Sequence, residues 1–207
     1  MSKNELTRRE REKLKHRQEI LDATLYLFSE YGFHNVSMQQ VADRSEFSIG
    51  TLYNFFDNKE HLYGTLLSEL SQKFIHEVTS AIDAGSEETE MLRNFLTAKA
   101  EVFYENMMIV RLYFQETSGI RFNFKAGLDE EIRIRHAEFM AKLTMVFANG
   151  IKKKRFNNIA DPYLLAVALD SLTNAILIGN LEDPENRSYP QDPDVFLNIF
   201  FKGLLVS

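Results

Sequence analysis

The sequence predicts an all-α fold, and three observations predict it. Apolar residues recur three and four apart along most of the chain, which is the helical period. Cap signals stand where those runs begin: Ser37 with Gln40 three residues on, Asp57 with Glu60, and Asp161 before Pro162. Four prolines and nine glycines are few for 207 residues rich in Leu, Phe and Ala, which favours helices throughout.

The same composition sets bounds on function. The absence of cysteine excludes a disulfide framework and thiolate metal sites. No apolar run approaches the roughly 20 residues of a membrane span, and the charged N-terminus is no secretory signal. The expectation is a soluble cytoplasmic protein without membrane, metal or cofactor. Net charge is −6, which argues at first against nucleic acid. Charge placement answers in part: Lys3, Arg8, Arg9, Arg11, Lys13, Lys15 and Arg17 crowd the first turns, against Glu5, Glu10 and Glu12. Such a cluster reads either as a solvated helix extension or as an arm that tracks phosphates.

The first helix starts between Arg8 and Lys15 and ends at Tyr31. Ile20, Thr24, Leu27, Phe28 and Tyr31 share its core face, with Leu21 at the edge. Gly32 stops it, and Phe33 packs back over the end. A second helix opens at Ser37, carries Met38, Val41 and Ala42 as one narrow stripe, and is over by Ser45. Ser48 caps a third with Leu52, Phe55 and Phe56 inward. A small core then closes around Leu27, Phe28, Val41, Leu52 and Phe56. Two short helices and a tight turn form the layout of a helix-turn-helix reading head.

A long fourth helix runs from Asn58 to about Ile82, with Leu62, Leu66, Leu70, Phe74, Val78 and Ile82 at every fourth position. One end belongs to the head and the other to the C-terminal part of the chain. After a polar break at Gly85–Thr89, Met91, Leu92, Phe95, Leu96, Val102 and Phe103 mark a fifth helix, and Ile109 to Phe114 a short sixth. The stretch on to Gly127 reads as irregular. Leu128, Ile132, His136, Phe139, Leu143, Val146 and Phe147 define a seventh, closed by Lys152–Arg155 as a solvated basic terminus. The eighth opens at Asp161-Pro162 and is apolar on nearly every side. A proline-dotted loop, Asp183 to Pro193, leads to the ninth, where Val195, Phe196, Ile199, Phe200, Leu204 and Leu205 again wrap the circumference. Two such helices cannot bury all sides within one chain, and a second copy is the simplest partner. Pairing them with their mates gives a homodimer through a four-helix interface.

At the reading head the pattern becomes specific. Val41-Ala42, then Phe47-Ser48-Ile49-Gly50-Thr51-Leu52-Tyr53, Phe55-Phe56 and Lys59-Glu60-His61-Leu62 resemble the signature of the TetR family of bacterial transcriptional repressors. The resemblance runs from about Ile20 to Leu62. Beyond it the chain matches in length and helical character only. Ser45 and Glu46 stand where the family has a small residue and a glycine in the turn, so Glu46 requires either a left-handed backbone or a different turn. Phe55 stands where a tyrosine is usual.

The resemblance implies an N-terminal three-helix DNA-binding domain over 14–74, with its reading motif at 37–56, and a C-terminal ligand-sensing and dimerising bundle over 75–207. Its DNA contacts carry over to Ser37 and Gln39 at the start of the second helix. In and after the reading helix they carry over to Ser48, Ile49, Gly50, Thr51, Tyr53, Asn54 and Lys59. The partners implied are a double-stranded, near-palindromic operator, a second copy, and a small apolar effector held in the bundle. Polar residues on otherwise apolar faces (Arg111, Gln115, His136, Asp170 and Asn174) are the candidates for orienting that effector. The alternative is a DNA-binding dimer without a small ligand, whose bundle binds a protein or only dimerises. No metal-binding His-Glu motif, Gly-rich phosphate loop or nucleophile elbow appears, so no enzyme is expected.

Overall fold

The computed structural model describes residues 7–108, 110, 130–183, 190 and 192–202. Among them are eight α-helices and no strand. They are α1 (Arg8–Tyr31), α2 (Met38–Arg44), α3 (Ile49–Tyr53), α4 (Lys59–Ala84), α5 (Glu88–Glu105), α6 (Glu130–Lys152), α7 (Pro162–Glu182) and α8 (Asp194–Lys202), with a 3-10 turn at Phe33–Asn35 after α1. Contacts group residues 7–69 into one compact unit, the head, and 70–107 with the described residues from 130 onward into another, the bundle. The expected short helix at Ile109–Phe114 (all but Val110), the stretch on to Gly127 and the end at Leu204 and Leu205 lie outside the described residues.

In the head, α1 starts at Arg8, the early end of the expected range, because Thr7 and Glu10 form a reciprocal capping box. It ends at Tyr31 as expected, with Gly32 at φ 80° and the Phe33 ring edge-on to Phe28 at 5.4 Å. Tyr31 itself is 57% exposed and Leu21 only 1%, so the core face is rotated toward Leu21 from its expected position. Leu27, Phe28, Val41, Leu52 and Phe56 are all buried, joined by Ile20, Val36, Leu62 and Leu66. Buried Thr24 turns its hydroxyl back to the Ile20 carbonyl at 2.7 Å, which satisfies it locally. The cap of α4 sits one residue later than expected. Asn58, not Asp57, accepts the His61 N–H at 2.7 Å, while the His61 ring reaches back to the Asp57 N–H at 3.2 Å.

Two helix ends share a Schellman arrangement without its usual glycine. After α2, Phe47 N–H bonds the Ala42 carbonyl and Glu46 N–H that of Asp43, with Glu46 at φ 60°. After α6, Arg155 N–H bonds Gly150 and Lys154 N–H bonds Ile151, with Lys154 at φ 58°. Each left-handed non-glycine residue costs about 1 kcal/mol of backbone strain. Glu46 thus takes the left-handed backbone rather than a different turn.

In the bundle, Phe95, Leu96, Phe139, Leu143, Phe147, Leu169 and Phe196 form part of one apolar cluster with Val78 and Ile82 of α4. The Phe156 ring packs directly against Gly150, where a Cβ would come within 2.2 Å of it, and α8 packs Phe201 against Phe156 at 4.8 Å. The basic run Lys152–Arg155 is no merely solvated terminus. Lys153 and Arg155 close on the Glu88 carboxylate at 2.6 and 2.7 Å, and Glu88 is only 2% exposed. This pins the start of α5 to the end of α6. The α7 helix is long and apolar enough to cross a membrane by length and composition, contrary to the expectation that no run approaches a span. It packs in the bundle core and carries buried Thr173 and Asn180 beside Asp170, all of them hydrogen-bonded to other helices.

Glu88 gives the fold a defined acid sensitivity. The hydrogen bond from Lys153, helped by the nearby Arg155 charge, holds its carboxyl below the ordinary 4.5 despite burial. A carboxyl lowered in the folded state contributes stability that is present above the unfolded value and lost as pH falls through the folded one. Thermal melts taken from neutral pH down past 4.5 should therefore lose stability on the acid side, and Glu88→Gln should remove part of that loss while lowering the neutral-pH plateau.

Candidate nucleic-acid interface

The reading surface is built from two helix starts. Ser37 caps α2, accepting the Gln40 N–H while the Gln40 side chain returns to the Ser37 N–H at 2.8 Å. Ser48 caps α3, accepting the Thr51 N–H at 3.1 Å, with the two hydroxyls 2.8 Å apart. These caps leave the first-turn N–H groups of both helices directed away from the helix bodies, where an anion is favoured. α3 is shorter than expected. It ends at Tyr53, and Phe55 and Phe56 come next in its closing turn, their N–H groups on the Leu52 carbonyl.

Burial sorts the predicted DNA contacts. Ser37, Gln39, Ser48, Gly50, Tyr53 and Asn54 are exposed, and Ile49, Thr51 and Lys59 are half-buried. Tyr53 is 51% exposed while Leu52 and Phe56 are buried, so Tyr53 is spared from the core. Gln39 is steadied by Asp43, to which its amide donates at 2.7 Å. Gly50 has no fold-based reason to be glycine. Its φ is ordinary, and an added Cβ would meet only the Ser48 hydroxyl, at 3.8 Å. Lys59 differs from the rest. Its ammonium donates to the Phe33 and Val36 carbonyls at 2.8 and 3.0 Å.

The basic turns of α1 border this surface. His16 meets the Phe47 ring at 5.0 Å, Lys13 lies 6.0 Å from the Phe55 ring, and Arg17 pairs with Glu69 while standing 5.8 Å from Phe56. Arg8 and Lys15 are matched by Glu12 and Glu19 one turn on. Glu19, Asp22, Arg44 and Glu46, with Phe47, line an open depression of about 720 Å³. Its three carboxylates disfavour a phosphate there.

Three of the five effector candidates, His136, Asp170 and Asn174, lie among the described residues. Arg111 and Gln115 lie outside the described residues. His136 is exposed rather than set in an apolar face, its ring 6.1 Å from Phe139, because the α6 stripe runs through Ile132, Phe139 and Leu143 and passes it by. Asp170 and Asn174 are joined, with the Asn174 amide donating to Asp170 at 3.1 Å. Their partner was not among the sequence candidates. Lys99, 1% exposed, donates to the Asp170 carboxylate at 2.5 Å, to its carbonyl at 3.1 Å and to the Thr173 hydroxyl at 2.7 Å. The signal was present: Lys99 comes after Leu92, Phe95 and Leu96 in the buried register of α5. Met145 of α6 is 63% exposed. Among the described residues no cluster of His, Asp and Glu suits a metal ion.

Residues 20–66 match the sequence profile of the bacterial regulatory proteins, tetR family. The repressor KstR of Mycobacterium tuberculosis is 42% identical over 71 residues, which cover 34% of this chain and 29% of KstR. The chain therefore spans less than a third of that relative. The uncharacterized regulator YhgD of Bacillus subtilis is 24% identical over 180 residues, 87% of this chain and 90% of YhgD. The regulator FadR of Bacillus subtilis, solved in complex with stearoyl-CoA, superposes with a TM-score of 0.72 at 17% identity, covering 91% of this chain and 99% of FadR. That likeness is one of fold. The head, residues 20–66, thus matches the tetR family of bacterial regulatory proteins in sequence, and the chain as a whole shares the fold of FadR.

Proposed function

We propose that the chain is a sequence-specific, DNA-binding repressor that works as a dimer and is released from its operator by a small apolar effector. The observation that carries the DNA reading is the first turn of α3. Gly50 faces open space, flanked by the capped hydroxyls of Ser48 and Thr51, and a backbone bare of Cβ there lets α3 approach a groove closely. Ile49 and Asn54 extend the same surface toward base edges. Ser37, Gln39 and Tyr53 flank it where phosphates run.

The dimer reading rests on α7 and α8, whose Leu164, Val195, Ile199 and Phe201 stay 40% or more exposed in one chain. The effector reading is supported by the FadR neighbour, solved in complex with stearoyl-CoA, and by the phenylalanine-rich apolar interior that α5 and α6 share. Thermal-shift titration with long-chain acyl-CoA and free fatty acids tests it. Stabilisation together with loss of DNA binding is expected, and indifference to every apolar ligand favours a bundle that only pairs. A regulator of this kind works in the cytoplasm.

Selection of duplexes from a random pool by the full chain tests the DNA reading, and enrichment of an inverted repeat is the expected result. Within it, Gly50→Ala separates fold from function. Alanine should raise unfolding free energy by about 0.5 kcal/mol through lower backbone entropy. It should weaken binding at least tenfold by standing α3 off the groove, as read by fluorescence anisotropy. Equal affinity would remove Gly50 from the interface.

A further inference from the structure

Lys59 stands in the first turn of α4, in the head. Its ammonium reaches back across more than twenty residues to the short bend between α1 and α2, donating to the Phe33 and Val36 carbonyls at 2.8 and 3.0 Å. The Phe33 ring lies 4.5 Å from the nitrogen, a cation–π contact that holds the charge on a third side. An ammonium has three donors and accepts nothing, so two of its protons are committed to the backbone. A phosphate contact would have to compete with two charge-assisted bonds and an aromatic face, from a side chain already half-buried.

The clamp has a clear target. Val36 directly precedes Ser37, the residue whose hydroxyl and N–H close the capping box of α2. Tying the Val36 and Phe33 carbonyls to α4 therefore fixes where α2 begins, and with it where Ser37 and Gln39 stand. We propose that Lys59 is a positioning residue, which acts on DNA through the Phe33–Val36 bend and the N-terminus of α2 and makes no phosphate contact of its own. This rests on the DNA-binding reading above.

The test uses the full chain and a duplex that the wild type selects from a random pool. Wild type, Lys59→Met and Lys59→Arg are titrated over a range of salt concentrations, with circular dichroism to confirm folding. Both variants should bind at least tenfold more weakly, with the salt dependence of wild type. A guanidinium is a good phosphate ligand, but its planar, bulkier fork does not fit the bend and ring that hold the compact ammonium, so arginine should not rescue. Rescue by arginine, with the log–log salt slope falling by about 0.9 in Lys59→Met alone, would mean a direct phosphate contact and overturn the proposal. Unchanged affinity of a folded Lys59→Met would also overturn it, by reducing the clamp to packing. Should Lys59→Met not fold, the wild type decides the matter. Its Lys59 ammonium nitrogen resonance should stay in place when the duplex is added, and a move on binding would overturn the proposal. A wild type that selects no duplex sinks the DNA reading itself, and this inference with it.

Discussion

Lys99→Met is expected to lower the unfolding free energy by about 3–5 kcal/mol, the range for breaking a buried ion pair from one side. Lys99 is 1% exposed, and its side chain ends among the Asp170 carboxylate, the Asp170 carbonyl and the Thr173 hydroxyl. Methionine fills a similar volume, so the loss is electrostatic rather than a cavity. It leaves the Asp170 carboxylate, 13% exposed, with the Asn174 amide in place of a charge. Burial pushes the Lys99 ammonium below its ordinary 10.5, and the Asp170 charge only partly offsets this. The pair is thus costly to hold charged even though neither half can be spared. Replacing both halves should accordingly reverse the effect: Lys99→Met with Asp170→Leu should recover most of the wild-type stability in urea melts. Two single losses that simply add would show that the side chains act independently.

That pair also marks the limit of what the sequence discloses. Signals that depend on neighbours within four residues were legible. The Ser37–Gln40 box, the Ser48 cap, the Asp161–Pro162 start and the every-fourth stripe of α4 all appear where their spacing places them. Signals that depend on partners far along the chain were not. Lys99 meets Asp170 across 71 residues and Lys153 meets Glu88 across 65, and no local pattern pairs such groups in advance. A lysine in the buried register of a helix announces that some acid must be near, without saying which. Local competition accounts for the smaller misses. Asn58 took the cap of α4 from Asp57 because His61, three residues after it, supplies both the N–H it accepts and the ring that serves Asp57. For the reading head, exposure of Ser48, Gly50, Tyr53 and Asn54 could be read from the inward spacing of Leu52 and Phe56. What Lys59 touches could not, because its acceptors belong to a bend more than twenty residues earlier.

On the dimer reading proposed above, Ala175→Glu is expected to separate the two chains and weaken DNA binding by about 10²–10⁴-fold, the avidity lost when two linked heads become independent. Along α7, Leu164, Ala168, Ser171 and Ala175 are exposed at helical spacing, with Ile178 half-buried on the next turn, and no charge falls among them. Small residues at that spacing let two helices approach closely, and Val195 and Ile199 of α8 supply a second uncharged strip. In a lone chain a glutamate at 175 is solvated and costs little. Across a two-fold interface it meets its own copy, both charges desolvated and alike in sign. The variant should keep its helical dichroism and sediment as one chain where the wild type sediments as two. Met145→Glu is the control. Met145 is 63% exposed on the outer strip of α6, but Glu138 stands on the same strip, which suits water better than a partner. If Met145→Glu dissociates the dimer while Ala175→Glu leaves it whole, the chains pair through α6. If neither variant changes the mass of a wild-type dimer, the interface lies on neither strip.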